Sequence, residues 1–230
     1  NEVPASIVLL RSQELERFNN TSLLPAVNIV PGVRMEERSP GSYRFSIRGS
    51  SLGSPFGVRN VKAYWNGLPF TDGGGNTYLN LLDFGSVGSV EIIKGPGGSL
   101  YGAGTGGVIL LKSPEIHQSQ LQADLTIGSY GLRRYLFRGQ AHSERILTNV
   151  QFALHRSDGY REQTELKRAP VNADIKFLTA NGALSATLLY SNLSYGTPGG
   201  LTKAEFESNP QQARPPTASL GAVQAGAAVE

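Results

Sequence analysis

The chain has 230 residues, enough for a sizeable core, and contains no Cys, which excludes disulfides, thiolate metal sites and a Cys nucleophile. Its 21 Lys and Arg against 18 Asp and Glu leave a net charge of only +3, and no basic run gathers that excess into a nucleic-acid footprint. No apolar stretch approaches the ~20 residues of a spanning helix, and Asn1 opens no signal-peptide pattern, so any membrane crossing is expected to use strands.

In chain order, Ala5 to Leu10 reads as a short apolar strand, and Ser12 as the cap of a helical stretch from Gln13 to Phe18. A second small helix is expected from Ser22, ending before Pro31. Arg44-Phe45-Ser46-Ile47-Arg48 alternates as a strand that stops at Gly49, and Val61 to Trp65 runs into the hairpin signal Asn66-Gly67. Val87 to Lys94 is a further strand, Gly95 to Gly107 a loop too rich in glycine for a helix, and Val108 to Leu111 a buried strand. Residues 1–114 are irregular and residues 115–230 repetitive, with Lys112-Ser113-Pro114 as the expected boundary between two domains.

Beyond that boundary the period is two. Apolar residues alternate with polar ones in five successive legs, carried by Leu121 to Ile127, Tyr135 to Ala141, Ile146 to Leu154, Val171 to Phe177 and Leu184 to Tyr190. The turns at 142–145 and 179–182 are short, whereas the segment from Ser157 to Ala169 is long and charged and the segment from Gly196 onward does not return to strand. Short turns at one end and long loops at the other are the layout of a transmembrane β-barrel, apolar toward lipid and polar toward the lumen. A soluble antiparallel sheet with one wet face has the same period, so periodicity alone leaves both open.

Enzyme signatures fail on inspection. Gly102-Ala103-Gly104-Thr105-Gly106-Gly107 fits the dinucleotide fingerprint formally, but a strand follows where the phosphate-binding helix is required. His117, His142 and His155 lack metal-ligand spacing, and no G-x-S-x-G elbow is present. Neither enzymatic activity nor a resident metal or cofactor is expected.

The run from Val90-Glu91-Ile92-Ile93-Lys94-Gly95-Pro96-Gly97-Gly98-Ser99-Leu100-Tyr101-Gly102 through Ile109 resembles the segment that closes the plug domain of TonB-dependent outer-membrane receptors. Ser46-Ile47-Arg48-Gly49, Val61 to Pro69 and the opening Glu2 to Ile7 resemble earlier plug motifs. The resemblance implies an α+β plug domain, 1–114, followed by antiparallel transmembrane β-barrel strands, 115–230, an incomplete barrel of which 22 strands are expected in the full-length receptor. Five strands leave edges that lipid cannot satisfy, so the chain is expected to be the front piece of a larger protein. It also implies active uptake of a scarce chelate across the outer membrane of a Gram-negative bacterium, a ferric siderophore or ferric citrate being favoured by the outer-loop-like segment Tyr195 to Thr202. Iron would travel in the chelate, with no cofactor of the protein's own.

The implied partners are the TonB energy-transducing complex, the small ligand and outer-membrane lipid, with no nucleic acid; no residue ahead of Glu2 can be assigned as the TonB box. Arg48 and Lys94 match positions that lock the plug to carboxylates of the barrel wall, Lys94 offering a point charge where Arg is commoner. Gly95, Gly102, Gly104 and Gly107 are expected to permit tight turns and close approach to the wall. Ser51 to Arg59 and Thr71 to Tyr78 are the expected apical loops, with Phe56, Arg59, Asn76 and Tyr78 as candidate substrate-binding residues. The alternative is a soluble plug-like binding or signalling module without transport.

Overall fold

The computed structural model describes residues 6–18, 21–50, 58–102 and 104–215. The chain divides into two compact units, one of residues 1–38 and 43–117, the other of 39–42 and 118–230.

The first unit is built on a five-stranded sheet of β1 (Ser6–Arg11), β4 (Val61–Trp65), β5 (Leu68–Pro69), β6 (Ser89–Lys94) and β7 (Gly107–Lys112), in the order β1-β6-β7-β4-β5. All its pairings are antiparallel except that of β4 with β7. Val61, Ala63, Trp65, Ile92, Val108, Ile109 and Leu111 are each no more than 2% exposed; burial of such a side chain contributes about 1.5–3 kcal/mol. Asn66 and Gly67, at φ 49° and 84°, make the left-handed pair that a tight hairpin between β4 and β5 demands.

Two short helices, α1 (Ser12–Glu16) and α2 (Leu24–Asn28), follow β1. The expected cap at Ser12 is not what starts α1: Ser12 lies inside the helix and donates to the Gly88 carbonyl, while the Glu14 carboxylate accepts from the Arg11 N–H at 2.7 Å. Ser22 does serve α2, accepting from the Leu24 N–H. A two-stranded hairpin of β2 (Val33–Ser39) and β3 (Ser42–Ile47) comes next. The sequence reading found β3 but not β2, whose Arg34, Glu36, Glu37 and Arg38 mask an alternation that buries Val33 and Met35. Asn28 fixes this strand through both amide atoms, one bond to the Met35 N–H at 2.7 Å and one to its carbonyl at 3.0 Å.

The second unit carries a five-stranded antiparallel sheet of β8 (Gln120–Ile127), β9 (Arg133–His142), β10 (Ile146–Ser157), β11 (Leu166–Thr179) and β12 (Gly182–Tyr195), each strand beside its sequence neighbours. All five alternating legs are strands. The long loop is shorter than expected, because β11 begins at Leu166 rather than after Ala169. Ladder pairing between β10 and β11 is absent opposite Ala169 and Pro170, where proline has no N–H to give. Past Gly196 a six-residue helix, α3 (Lys203–Ser208), starts with a capping box between Thr202 and Glu205; this helix was not foreseen.

The register gives the sheet two unlike faces. One carries Leu121, Leu125, Phe137, Val150, Phe152, Ile175, Leu184, Leu188 and Tyr190, all exposed. The other carries a side-chain ladder that crosses all five strands. Gln120 donates to Gln140 at 2.6 Å, Gln140 to Asn149 at 3.3 Å, Asn149 to Asp174 at 3.3 Å, and Thr187 to Asp174 at 2.9 Å. Apolar side chains exposed in rows, backed by a bonded polar face, invert the soluble arrangement and fit a sheet wet on the inside and lipid-facing on the outside. None of the described helices is long and apolar enough to cross a membrane.

Candidate functional site

The turn between Thr71 and Tyr78 is organised by one carboxylate. The Asn76 N–H donates to Asp72 at 2.8 Å, the Asn76 amide reaches the second oxygen at 3.4 Å, and the Gly74 N–H and Tyr78 hydroxyl also bond to it. These donors, led by the Asn76 backbone N–H, hold the Asp72 carboxyl below the usual carboxylate range. The Thr71 and Thr77 hydroxyls close the base of the turn at 2.6 Å, and Thr71 accepts from the Ala63 N–H of β4 at 2.8 Å.

Arg59 enters from the preceding loop. Its Nε donates to the Asn76 Oδ1 at 2.9 Å, which leaves the terminal guanidinium nitrogens pointing away from that bond on an exposed side chain. Tyr78 is 47% exposed beside it, and the Lys62 ammonium lies 3.8 Å from where a Cβ on Gly75 would sit. Three of the four candidate ligand contacts therefore share one turn, Asn76 and Tyr78 on Asp72 and Arg59 on Asn76; Phe56 lies outside the described residues. Sequence reasoning missed Asp72 and Lys62, although Asp72-Gly73-Gly74-Gly75-Asn76 is a recognisable Asx-turn sequence.

The two candidate lock cations are both held at the Pro31–Gly32 turn. Lys94 donates to the Pro31 carbonyl at 2.7 Å. Arg48, left-handed at φ 51°, bonds through its N–H to the Gly32 carbonyl at 2.7 Å, and its guanidinium passes 3.9 Å from the Cβ position of Gly95. Arg48 lines a cavity of about 460 Å³ together with Arg34, Glu36, Arg44 and Ser46. Glu36 is engaged there by Arg34 at 2.7 Å and Arg44 at 3.7 Å, and its carboxyl is held below its ordinary value chiefly by the Arg34 bond. Three guanidiniums against one carboxylate leave the cavity cationic.

The glycine-rich loop is packed against its own unit. A Cβ on Gly107 would overlap the Ile93 carbonyl, and φ there is +146°, while a Cβ on Gly104 would meet the Lys62 stem at 3.0 Å. Gly95 and Gly102 have φ of 111° and 70°. Gly106, not singled out from sequence, is as constrained, since a Cβ would come 2.5 Å from the Ser50 side chain. Tyr101 holds the loop to β4, its carbonyl accepting from the Tyr64 hydroxyl at 3.1 Å with the rings edge to face at 5.4 Å. A strand, β7, follows the glycines, so the dinucleotide fingerprint has no helix to serve it.

A plug-like α+β unit is thus followed in sequence by an antiparallel sheet with a lipid-type face. Residues 1–109 match the TonB-dependent receptor plug domain family. Over 104 residues, 44% of this chain, the sequence is 33% identical to the vitamin B12 transporter BtuB of Vibrio vulnificus strain CMCP6, of which the match covers 16%. The BtuB of strain YJ016 is 26% identical over 167 residues, 70% of this chain and 26% of that protein. Among solved structures, the ferripyoverdine receptor FpvA of Pseudomonas aeruginosa superimposes with a TM-score of 0.66 at 19% identity, over 84% of this chain and 26% of its own. The ferric yersiniabactin uptake receptor FyuA of Yersinia pestis gives 0.62 at 18% identity, over 84% and 32%. The copper transporter OprC gives 0.66 at 15% identity, over 84% and 31%.

Residues 1–109 are thus similar to the plug domain of TonB-dependent receptors, and the strands behind it have the fold of the first part of such receptors' barrels. The chain spans about a quarter or less of the length of these curated relatives.

Proposed function

We propose that the protein acts in active, TonB-dependent uptake of a scarce anionic chelate, a ferric siderophore or ferric citrate, bound first at the turn organised by Asp72. The observation that carries this reading is the tethered guanidinium of Arg59. Because Asn76 holds Nε, the remaining nitrogens are already placed to receive a carboxylate or catecholate oxygen pair at little further entropic cost. Lys62 adds a second cation at the same turn, and Tyr78 offers an aromatic face with a hydroxyl. Nothing in this constellation supplies a nucleophile with a base, and the roles it supports are binding and orientation.

In this reading Arg48 and Lys94 hold the plug at rest through carboxylates of the barrel wall, and TonB releases the hold. The cationic cavity beside Arg48 supports that role, since it has charge to spare after Glu36 is satisfied. Lys94 keeps two donors beyond the one spent on Pro31.

A second reading, vitamin B12 as the cargo, is favoured by the 33% identity to BtuB across the plug. Binding measurements on the whole receptor with ferric citrate, a ferric catecholate and cyanocobalamin separate the two. Arg59→Ala is expected to weaken the anionic chelate at least about tenfold, as loss of a charge-assisted pair does, with Arg59→Lys intermediate. Tight cyanocobalamin binding unaffected by Arg59→Ala would transfer the assignment to the second reading.

A further inference from the structure

The lipid-facing side of the second unit is uncharged along most of its length and then carries three cations in a single row. Arg156 of β10 stands directly opposite Arg133 of β9 and directly opposite Lys167 of β11. All three are exposed, and none of their side chains makes a hydrogen bond or ion pair among the described residues. By the alternation of the strands they share the face of Tyr135, Leu154 and Ala169, the next row inward, and then of Phe137, Phe152 and Val171.

Like charges directly opposite in neighbouring strands have Cβ atoms only about 4.5–5.5 Å apart and repel. A protein carboxylate would ordinarily relieve this. Two acidic residues lie close in sequence, and neither forms an ion pair with the three cations: Asp158, two beyond Arg156, has its carboxylate against Gly131 of the 128–132 turn, and Glu165, two before Lys167, is turned to Gly196, its Oε2 lying 2.9 Å from that glycine's Cβ position. The row is also the last outward-facing one at this end, since β8 and β9 are joined by the turn at 128–132 and β10 ends at Ser157. This is the end that carries the long loops. Five uncharged rows separate it from the short turns at the other end, which sets Arg156 about 34 Å along β10 from Ile146 at 3.4 Å per residue, or about 26 Å in height at a tilt of ~40°, the height of an outer-membrane apolar band.

We infer that Arg133, Arg156 and Lys167 form a binding site for the phosphates of a glycolipid headgroup in the outer leaflet. The inference rests on the membrane reading of this sheet. Three cations at the upper rim of the apolar band, adjoining Tyr135, can be bridged by a phosphate on a lipid whose acyl chains lie against Phe137 and Phe152. Two guanidiniums supply forked donors and the ammonium a point charge. A phosphodiester or phosphomonoester on a membrane-anchored lipid meets them at high effective concentration, which three exposed pairs with a free anion would not reach.

The test uses the whole receptor, extracted from outer membranes and delipidated, titrated in detergent with bisphosphorylated lipid A and with the same lipid stripped of its phosphates. Native mass spectrometry reads the bound lipid. The unaltered receptor is expected to hold the phosphorylated form about tenfold more tightly, and the triple variant Arg133→Gln, Arg156→Gln, Lys167→Gln to show no preference. Arg133→Lys with Arg156→Lys is expected to keep most of the preference. Recovery of each variant from the outer membrane with an unchanged heat-dependent gel shift establishes that its barrel is folded. Equal affinity of the unaltered receptor for both lipids would overturn the inference while leaving the membrane reading intact. So would a preference retained by the triple variant, or displacement of the lipid by millimolar inorganic phosphate at constant ionic strength, which marks a free-anion site.

Discussion

Asp72 shows how one side chain decides the state of a binding loop. Its carboxyl is held below the ordinary carboxylate value by the Asn76 backbone N–H first, so the order it gives the turn is complete above that ordinary value. That order is lost only as the pH falls through the lower, folded value. Hydrogen exchange at Gly74 and Asn76 is therefore expected to stay slow between pH 7 and about pH 5 after correction for intrinsic rates. Asp72→Ala is expected to make it fast throughout, and to weaken the chelate without touching it, because Asn76 would no longer hold Arg59. The glycines of the 95–107 loop divide by cause. Gly107→Ala combines a blocked Cβ with a forbidden φ and is expected to cost about 3 kcal/mol or more in thermal unfolding, whereas Gly102→Ala meets open space and pays only for its φ of 70°, about 1 kcal/mol. Single residues of this kind were partly legible in the sequence. Arg59, Asn76 and Tyr78 could be named from loop position and chemistry, but the bond between Arg59 and Asn76, 17 residues apart, depends on a fold that brings the two loops together.

At the scale of elements, period-two patterning disclosed the five strands of the second unit because each has one apolar and one polar face. Where charge or proline interrupted that pattern, the reading failed: β2 is hidden by Arg34, Glu36, Glu37 and Arg38, and the start of β11 by Lys167, Arg168 and Pro170. The row of Arg133, Arg156 and Lys167 was invisible for a different reason, since it exists only once the register of three strands is known. That register makes the membrane face testable by depth. Leu188 lies in the middle apolar row and Leu125 in the row next to the cations. Leu188→Arg is expected to cost about 2–4 kcal/mol in denaturant unfolding from bilayers, and Leu125→Arg about 0–1 kcal/mol. Equal small costs at both depths would describe a soluble sheet. On the opposite face Asn149 is 1% exposed and carries the ladder between Gln140 and Asp174. Asn149→Ala is expected to lose about 1–3 kcal/mol by leaving those neighbours without a partner between them.

For the whole molecule, the plug motifs and the barrel-type strands occur in the order that a gated receptor requires, and both were readable because each is a local pattern. The identity of the cargo was not, because it depends on side chains gathered from several loops. We propose that this chain serves as plug and first barrel strands in an outer-membrane transporter of an iron chelate. The most direct measurement is a blot with antibody raised against residues 1–114, on outer-membrane and soluble fractions of the source cells grown with and without iron. The expected result is a band several times heavier than 24.6 kDa, in the outer membrane and rising under iron starvation. A band confined to the soluble fraction near 24.6 kDa would contradict the account.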